Sequence, residues 1–258
     1  MMCGLLFAIA AVFAAQDMVP APPAIPRETG STIISSPSGK PQWTAEWSME
    51  PATEKGGPAV RFTEMGRGRI SSYLMPVQWT LHAVWAADGS FYPLRFEKTI
   101  TDNDGHTIAT ERKTFDPAKR IVQFERKRGG HADESKPFSA PPDTLTVEGI
   151  AGILRFLPFD HWRPLSVHLF TNEPQLYQVK IEMRGKERVK TPAGEFECYK
   201  IELVPQLGVL GVLRPLLPKT FFWFSVTAPH FWVRYQGPES GRGSPQIVME
   251  LKTYEPGR

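Results

Sequence analysis

RISSYLMPVQWTLHAVW, residues 69–85 of this 258-residue chain, alternates apolar and polar side chains over most of its length. The apolar positions are Tyr73, Met75, Val77, Trp79, Leu81, Ala83 and Trp85. Successive side chains of a strand point to opposite faces, so a period of two predicts one long strand with a single buried face. We therefore expect a β-rich fold that extends outward from this stretch.

The residues that follow repeat the pattern in shorter segments separated by turn sequences. Ala87-Asp-Gly-Ser90, Asn103-Asp-Gly105 and Asp116-Pro117 are typical turn signals. They separate predicted strands at 91–101, 107–115 and 120–127, which gives a four-stranded antiparallel meander. Strand patterns return at 166–171, 176–188, 195–204, 221–225, 232–236 and 246–254.

One segment has a helical pattern instead. Asp143 is a suitable N-cap, and the stretch ends at Pro158. An apolar stripe between these residues is formed by Leu145, Ile150, Leu154 and Leu157. About ten strands with one inserted α-helix at about 143–157 predict a mainly β protein, either a single curved antiparallel sheet or a partly open β-barrel.

The N-terminal region has a different character from the rest of the chain. Gly4 to Ala15 is a short apolar run without charge, which predicts a signal peptide over residues 1–15. The alternative is an uncleaved anchor or a buried helix. Residues 16–42 contain six prolines and predict a flexible tether. Residues 43–258 then form a single β-rich domain.

A family resemblance rests on the run GKERVKTPAGEFECYKIEL at residues 185–203. Phe222-Trp-Phe-Ser225 and Phe231-Trp-Val-Arg234 follow it in the matching order. Together these segments resemble the DUF3108 family of exported bacterial proteins over about residues 60–255. The resemblance implies a β-protein of the periplasm or cell envelope, which is periplasmic or secreted after cleavage of its signal peptide. It implies no mechanism, because the family has no known function.

Composition and motifs exclude several function classes. The net charge of +3 comes from 30 basic and 27 acidic residues, so we expect no nucleic-acid partner. The six histidines show no metal-ligand spacing, and no cofactor-binding loop occurs, so we assign no metal site, no cofactor and no catalytic residue. The pairs Asp102/Asp104 and Glu195/Glu197 are interpreted as solvated faces. Cys198, alone once the signal is removed, is interpreted as an inert strand residue.

The apolar loop between residues 205 and 222 is the most unusual segment. Its glycines and prolines prevent a regular strand or a spanning helix, so its leucines must cover a cavity or meet a partner. It either folds over the core or forms a flap for an apolar ligand. The ligand-binding residues predicted on the second interpretation are Leu207, Leu210, Leu213, Leu216, Trp79, Trp85, Phe222 and Trp232.

These observations favour an exported, non-enzymatic envelope protein that binds a lipid-like or other apolar ligand in its cleft. The basic run at residues 126–128 allows peripheral contact with the envelope, although such a run also protects a strand end from pairing. One alternative is an envelope hydrolase or polysaccharide-modifying enzyme. Another is a structural or assembly protein that pairs through a sheet edge.

Overall fold

The computed structural model describes residues 25, 27–172, 174–206, 218–240 and 243–257. These residues form fifteen strands, one short α-helix and one turn of 3-10 helix. The strands are Glu28–Ser35 (β1), Pro41–Glu54 (β2), Gly57–Gly68 (β3), Val77–Ala86 (β4), Pro93–Thr101 (β5), Thr107–Asp116 (β6), Ile121–Arg128 (β7), Glu134–Ser139 (β8), Thr144–Thr146 (β9), Leu165–Phe170 (β10), Leu176–Thr191 (β11), Gly194–Pro205 (β12), Thr220–Ser225 (β13), Trp232–Pro238 (β14) and Gln246–Pro256 (β15). The helix α1 is Ile150–Leu154, and the 3-10 turn is Phe159–His161.

All fifteen strands belong to one sheet in the order β8-β7-β6-β5-β4-β3-β2-β1-β15-β14-β13-β12-β11-β10-β9. Strands that are consecutive in the sequence are adjacent in the sheet, with the exception of β8 and β9, and β1 pairs with β15 to join the two halves. Every pair is antiparallel except β9 with β10. The sheet is not closed, because its two end strands are β8 and β9. This confirms the predicted mainly β fold with a single unclosed sheet.

Side chains connect the two ends of the sheet where hydrogen-bonded strands do not. The rings of Phe138 in β8 and Phe170 in β10 have centroids 5.6 Å apart, and Phe115 in β6 meets Phe170 at 6.3 Å. The sheet thus curves far enough to bring its ends into contact and to enclose an interior.

The predicted meander is present as β4 to β7, but its first strand is shorter than expected. It begins at Val77, whereas residues 69–76 form turns in which Leu74 is 99% exposed. Pro76 has no N–H group for the ladder with β3, so strand pairing starts only after it. Tyr73 and Met75 therefore fit the alternating sequence pattern but lie outside β4.

The predicted tether over residues 16–42 is wrong in its second half. Glu28–Ser35 form β1, which pairs with both β2 and β15 and so lies in the middle of the sheet. All six prolines of the region fall outside these eight residues. The β-branched residues Thr32, Ile33 and Ile34 favour an extended chain there. The domain therefore begins near residue 28 instead of 43, and the predicted signal peptide lies outside the described residues.

The predicted helix at 143–157 is also wrong in length, because α1 covers only five residues. Thr144–Thr146 form β9 instead, and Asp143 binds the Nδ1 atom of His168 at 2.8 Å rather than capping a helix. Gly149 separates the two elements with φ of 65°, and a Cβ atom there would lie 2.3 Å from the Trp85 ring. The predicted apolar stripe is nevertheless buried at all four positions, which are Leu145, Ile150, Leu154 and Leu157.

Candidate functional site

The interior of the curved sheet contains a cavity of about 570 Å³. This volume lies within the range of small-molecule sites. The inner faces of β1 to β3 and β10 to β15 form its walls, and the segment from Val147 to Arg155 with α1 covers one side. No helix within the described ranges is long and apolar enough to cross a membrane.

Most of the lining is apolar, as strand alternation dictates. Met49 in β2 lies opposite Phe62 in β3, and both side chains face the cavity. Further apolar lining comes from Val147, Ile150, Ala151, Leu169, Val179, Leu203, Phe222 and Met249. An apolar wall of this kind gains free energy from any ligand that removes its surface from water.

Of the four aromatic residues that the sequence analysis assigned to the ligand site, two line the cavity and two do not. Phe222 and Trp232 line the cavity. Trp79 and Trp85 do not; they are buried behind the lining in the main core cluster. Trp79 packs over Gly66, where a Cβ atom would lie 2.0 Å from its ring.

The predicted leucines Leu207, Leu210, Leu213 and Leu216 lie outside the described residues. The residues that flank their segment on either side, Pro205 and Pro218, do line the cavity.

A buried ion pair forms one polar part of the cavity wall. The Arg155 guanidinium donates from Nη1 to the Glu28 carboxylate, and both side chains are almost completely buried. Arg155 also donates from Nε and Nη2 to the carbonyl oxygen of Pro229, at 3.1 and 2.9 Å. The Tyr254 hydroxyl donates to the second Glu28 oxygen at 2.8 Å. The pair is thus fully engaged by protein groups.

A second polar cluster lies at the end of the cavity near the gap in the sheet. Glu148, which lines the cavity, accepts a hydrogen bond from the fully buried Lys113. Lys113 also lies 3.1 Å from Glu111, which in turn holds Arg126 at 2.9 Å. Burial raises the pKa of Glu148, whereas the neighbouring cations Lys113 and Arg126 hold the pKa of Glu111 below its usual value. Arg126 also donates to the carbonyl oxygen of Asn172, so the cluster connects both ends of the sheet.

Four buried polar atoms on lining residues have no hydrogen-bond partner within the described structure. They are the indole Nε1 atoms of Trp47 and Trp232, the Oε2 atom of Glu148 and the Oε1 atom of Glu239. Glu64, opposite Trp47 in the β2–β3 ladder, lines the cavity as well, and its Oε1 accepts from Trp79 Nε1 at 2.8 Å. Burial raises the pKa of the Glu64 carboxyl. The wall therefore combines an apolar surface with a few hydrogen-bonding groups.

The other candidates from the sequence have structural explanations. Asp102, Asp104 and His106 bring their ligand atoms within 4.8 Å of one another. However, Asp102 Oδ1 accepts the backbone N–H groups of the other two residues at 2.9 Å, which stabilises the hairpin turn and lowers the pKa of Asp102. Glu195 and Glu197 are exposed on the β12 surface.

The sequence did not identify Glu28, Trp47, Glu64, Glu148 or Arg155 as site residues. A signal for the β2 part existed in the apolar alternation at Trp43, Ala45, Trp47 and Met49. The inward-facing carboxyls of Glu28 and Glu64, by contrast, can be identified only when the register of β1 to β3 is known.

Comparison with known proteins agrees with this fold. A family model described as a protein of unknown function (DUF3108) matches residues 35–252. No curated protein matches the chain significantly. A β-barrel-like protein of a domain of unknown function, DUF1849, from Brucella abortus has a TM-score of 0.53 at 8% identity, over 91% of this chain and 99% of that chain. This likeness shows a common β-barrel-like fold and nothing about activity.

Two further solved structures are less similar. A candidate lipoprotein from Parabacteroides distasonis has a TM-score of 0.36 at 13% identity, over 93% of this chain and 100% of that one. A candidate exported protein from Bacteroides fragilis has a TM-score of 0.34 at 10% identity, over 92% and 99%. Both TM-scores are too low to support an inference about this chain.

Proposed function

The chain belongs to the DUF3108 family of proteins of unknown function, and we propose that it is an exported, non-enzymatic cell-envelope protein that binds an apolar, lipid-like ligand. The observation that carries the proposal is the cavity of about 570 Å³ inside the curved sheet. Apolar side chains make up most of its wall, and Phe222 and Trp232 are among them. Small-molecule sites have this combination of volume, concavity and apolar lining.

Export is supported by the apolar run from Gly4 to Ala15, which is too short to span a bilayer and ends in small residues typical of a signal-peptidase site. On this proposal the mature protein begins at Ala15 or Gln16. An exported protein with one buried thiol, Cys198, depends on its core rather than on disulfides for stability.

A hydrolase is the weaker alternative because of how the carboxyls are engaged. Catalysis would need a base and a nucleophile in hydrogen-bond reach of each other and of a substrate. Among the described lining residues, Glu28 is held by Arg155 and Glu148 by Lys113. These two carboxylates are therefore paired with buried cations of the wall, and breaking either pair would leave an uncompensated buried charge.

The proposal is tested by filling the cavity. Ala151 lies in α1 and lines the cavity, so Ala151→Phe should occupy part of the ligand volume. The probe is N-phenyl-1-naphthylamine, an uncharged apolar dye whose fluorescence rises on leaving water. We expect the parent protein to bind the dye and Ala151→Phe to bind it at least about tenfold more weakly, a difference of about 1.4 kcal/mol.

Ala118→Phe is the matched control, because Ala118 is exposed in the turn between β6 and β7. It should leave dye binding unchanged. Dye binding that is absent from the parent protein, or equal in Ala151→Phe and Ala118→Phe, would contradict a ligand site in this cavity.

A further inference from the structure

We infer, on the basis of the proposed function, that the cavity selects an amphiphile with an uncharged, hydrogen-bonding polar end, such as a long-chain alcohol, and rejects fatty-acid anions. The inference comes from the charges that face the cavity. A ligand with an anionic end needs a cation that is free to pair with it, because an unpaired anion in an apolar site loses its hydration without compensation.

The cation that lines the cavity within the described ranges, Arg155, is already engaged. It pairs with Glu28 through Nη1, and its Nε and Nη2 groups donate to the carbonyl oxygen of Pro229. A ligand carboxylate would have to displace the Glu28 carboxylate, which is itself held by the Tyr254 hydroxyl. This exchange would leave Glu28 as an unpaired buried anion, so the ligand carboxylate would gain no net binding free energy from Arg155.

The two buried cations next to Glu148 are engaged as well. Lys113 pairs with Glu148 and Glu111, and Arg126 pairs with Glu111 and with the carbonyl oxygen of Asn172. This cluster contains two carboxyls and two cations, so its charges balance. Lys98 lies 5.8 Å from the ring centroid of Trp79 and is not part of the cavity wall.

An uncharged polar end finds a suitable partner on the same wall. A hydroxyl can donate to the Glu64 carboxyl, which lines the cavity and whose Oε1 already accepts from Trp79 Nε1, whereas an ionised ligand carboxylate has no proton to donate. A hydrogen bond to this carboxyl offsets part of the desolvation cost of the ligand's polar end, so a hydroxyl on the ligand adds to the affinity of its chain.

The test compares dodecan-1-ol with dodecanoate, which have the same chain length and differ in the charge of the polar end. Each is titrated against the full-length protein at about pH 7.5, where the free carboxylate is ionised, by displacement of N-phenyl-1-naphthylamine. We expect the alcohol to bind at least about tenfold more tightly than the anion. Equal binding, or tighter binding of dodecanoate, overturns the inference and leaves the proposed function intact. Failure of both probes overturns both proposals.

Glu28→Gln provides a gain-of-function variant, because it keeps the shape of the side chain and frees the charge of Arg155. We expect dodecanoate binding to strengthen at least about tenfold relative to dodecan-1-ol binding by the same variant. Glu46→Gln, which removes an exposed carboxyl on β2, is the control and should change neither. Unchanged dodecanoate binding in a folded Glu28→Gln protein overturns the inference. If Glu28→Gln does not fold, the inference is decided by the ratio of the affinities of the parent protein for dodecan-1-ol and dodecanoate.

Discussion

Cys198 in β12 is a reactive residue type in an environment that suppresses its reactivity. The side chain is fully buried, and its thiol donates weakly to the carbonyl oxygen of Phe196 at 3.7 Å. Burial raises the pKa of the thiol to about 12, with a further contribution from Glu187 and Glu197. Only the thiolate is nucleophilic, so the thiol should be inert near neutral pH.

We therefore expect Cys198 to escape alkylation by iodoacetamide in the native protein at about pH 8 and to react completely after unfolding in guanidinium chloride. Mass-spectrometric mapping of the peptide that contains Cys198 makes the measurement. Labelling of the native protein as fast as the unfolded chain would show that the thiol is accessible and ionised, contrary to its position in the core.

At the scale of single elements, α1 is short but closely packed. It begins after Gly149 and covers one side of the cavity, and Leu154 at its last position is 1% exposed. Five residues cannot form a stable helix alone, so the element depends on the burial of its apolar side chains.

Leu154→Ala should lower the free energy of unfolding by about 2 to 5 kcal/mol, the usual range for a buried leucine. Leu74→Ala is the same substitution at a position that is 99% exposed, and it should change stability by less than about 0.5 kcal/mol. Urea denaturation of both variants makes the comparison. Similar values for the two would indicate that α1 does not pack as described.

The elements also show how far sequence patterns reach. Period-two alternation predicted β4 to β7 and β10 to β15, because each of these strands has one buried face. The prolines on both sides of β1 led to the prediction of a flexible tether, although the eight residues between them form a strand. The stripe at 143–157 suggested one helix because a three-residue strand, a glycine turn and a short helix happen to bury residues at similar spacing. The turn at Gly149 reflects tertiary contact with Trp85, which local periodicity does not encode.

At the scale of the whole molecule, Lys113 joins the two ends of the unclosed sheet. It is fully buried in β6 and binds Glu148, which follows β9, while Arg126 in β7 reaches the carbonyl oxygen of Asn172 after β10. Lys113→Met should destabilise the protein by about 3 to 5 kcal/mol, because it leaves buried carboxyls without their cation. Lys119→Met removes an exposed lysine that pairs with Asp116, and it should cost less than about 1 kcal/mol.

The cost of Lys113→Met should also depend on pH. Loss of the cation raises the pKa of Glu111 and of Glu148, whose pKa burial already raises. A carboxyl with a raised folded-state pKa contributes stability at low pH that is lost as the pH rises through that pKa. The stability deficit should therefore be larger at about pH 8 than at about pH 5, as measured by urea denaturation at both values. A deficit that does not change with pH would contradict the role of this cluster.

The cavity itself is a property of the whole sheet, which is why the sequence located only part of it. Phe222 and Trp232 were assigned, with Trp79 and Trp85, to the concave face that the apolar loop would cover, and these two line the cavity. Glu28 and Arg155 meet although 127 positions separate them in the chain. Their contact depends on the curvature and register of fifteen strands, and neither residue has a local pattern that marks it.

The central claim is that this cavity holds an apolar ligand, and native mass spectrometry of protein purified from the cell envelope tests it most directly. We predict that the parent protein carries a bound, uncharged, organic-extractable amphiphile and that Ala151→Phe carries much less of it. Parent protein that has only the mass of its polypeptide, with nothing recovered on extraction, would contradict the account.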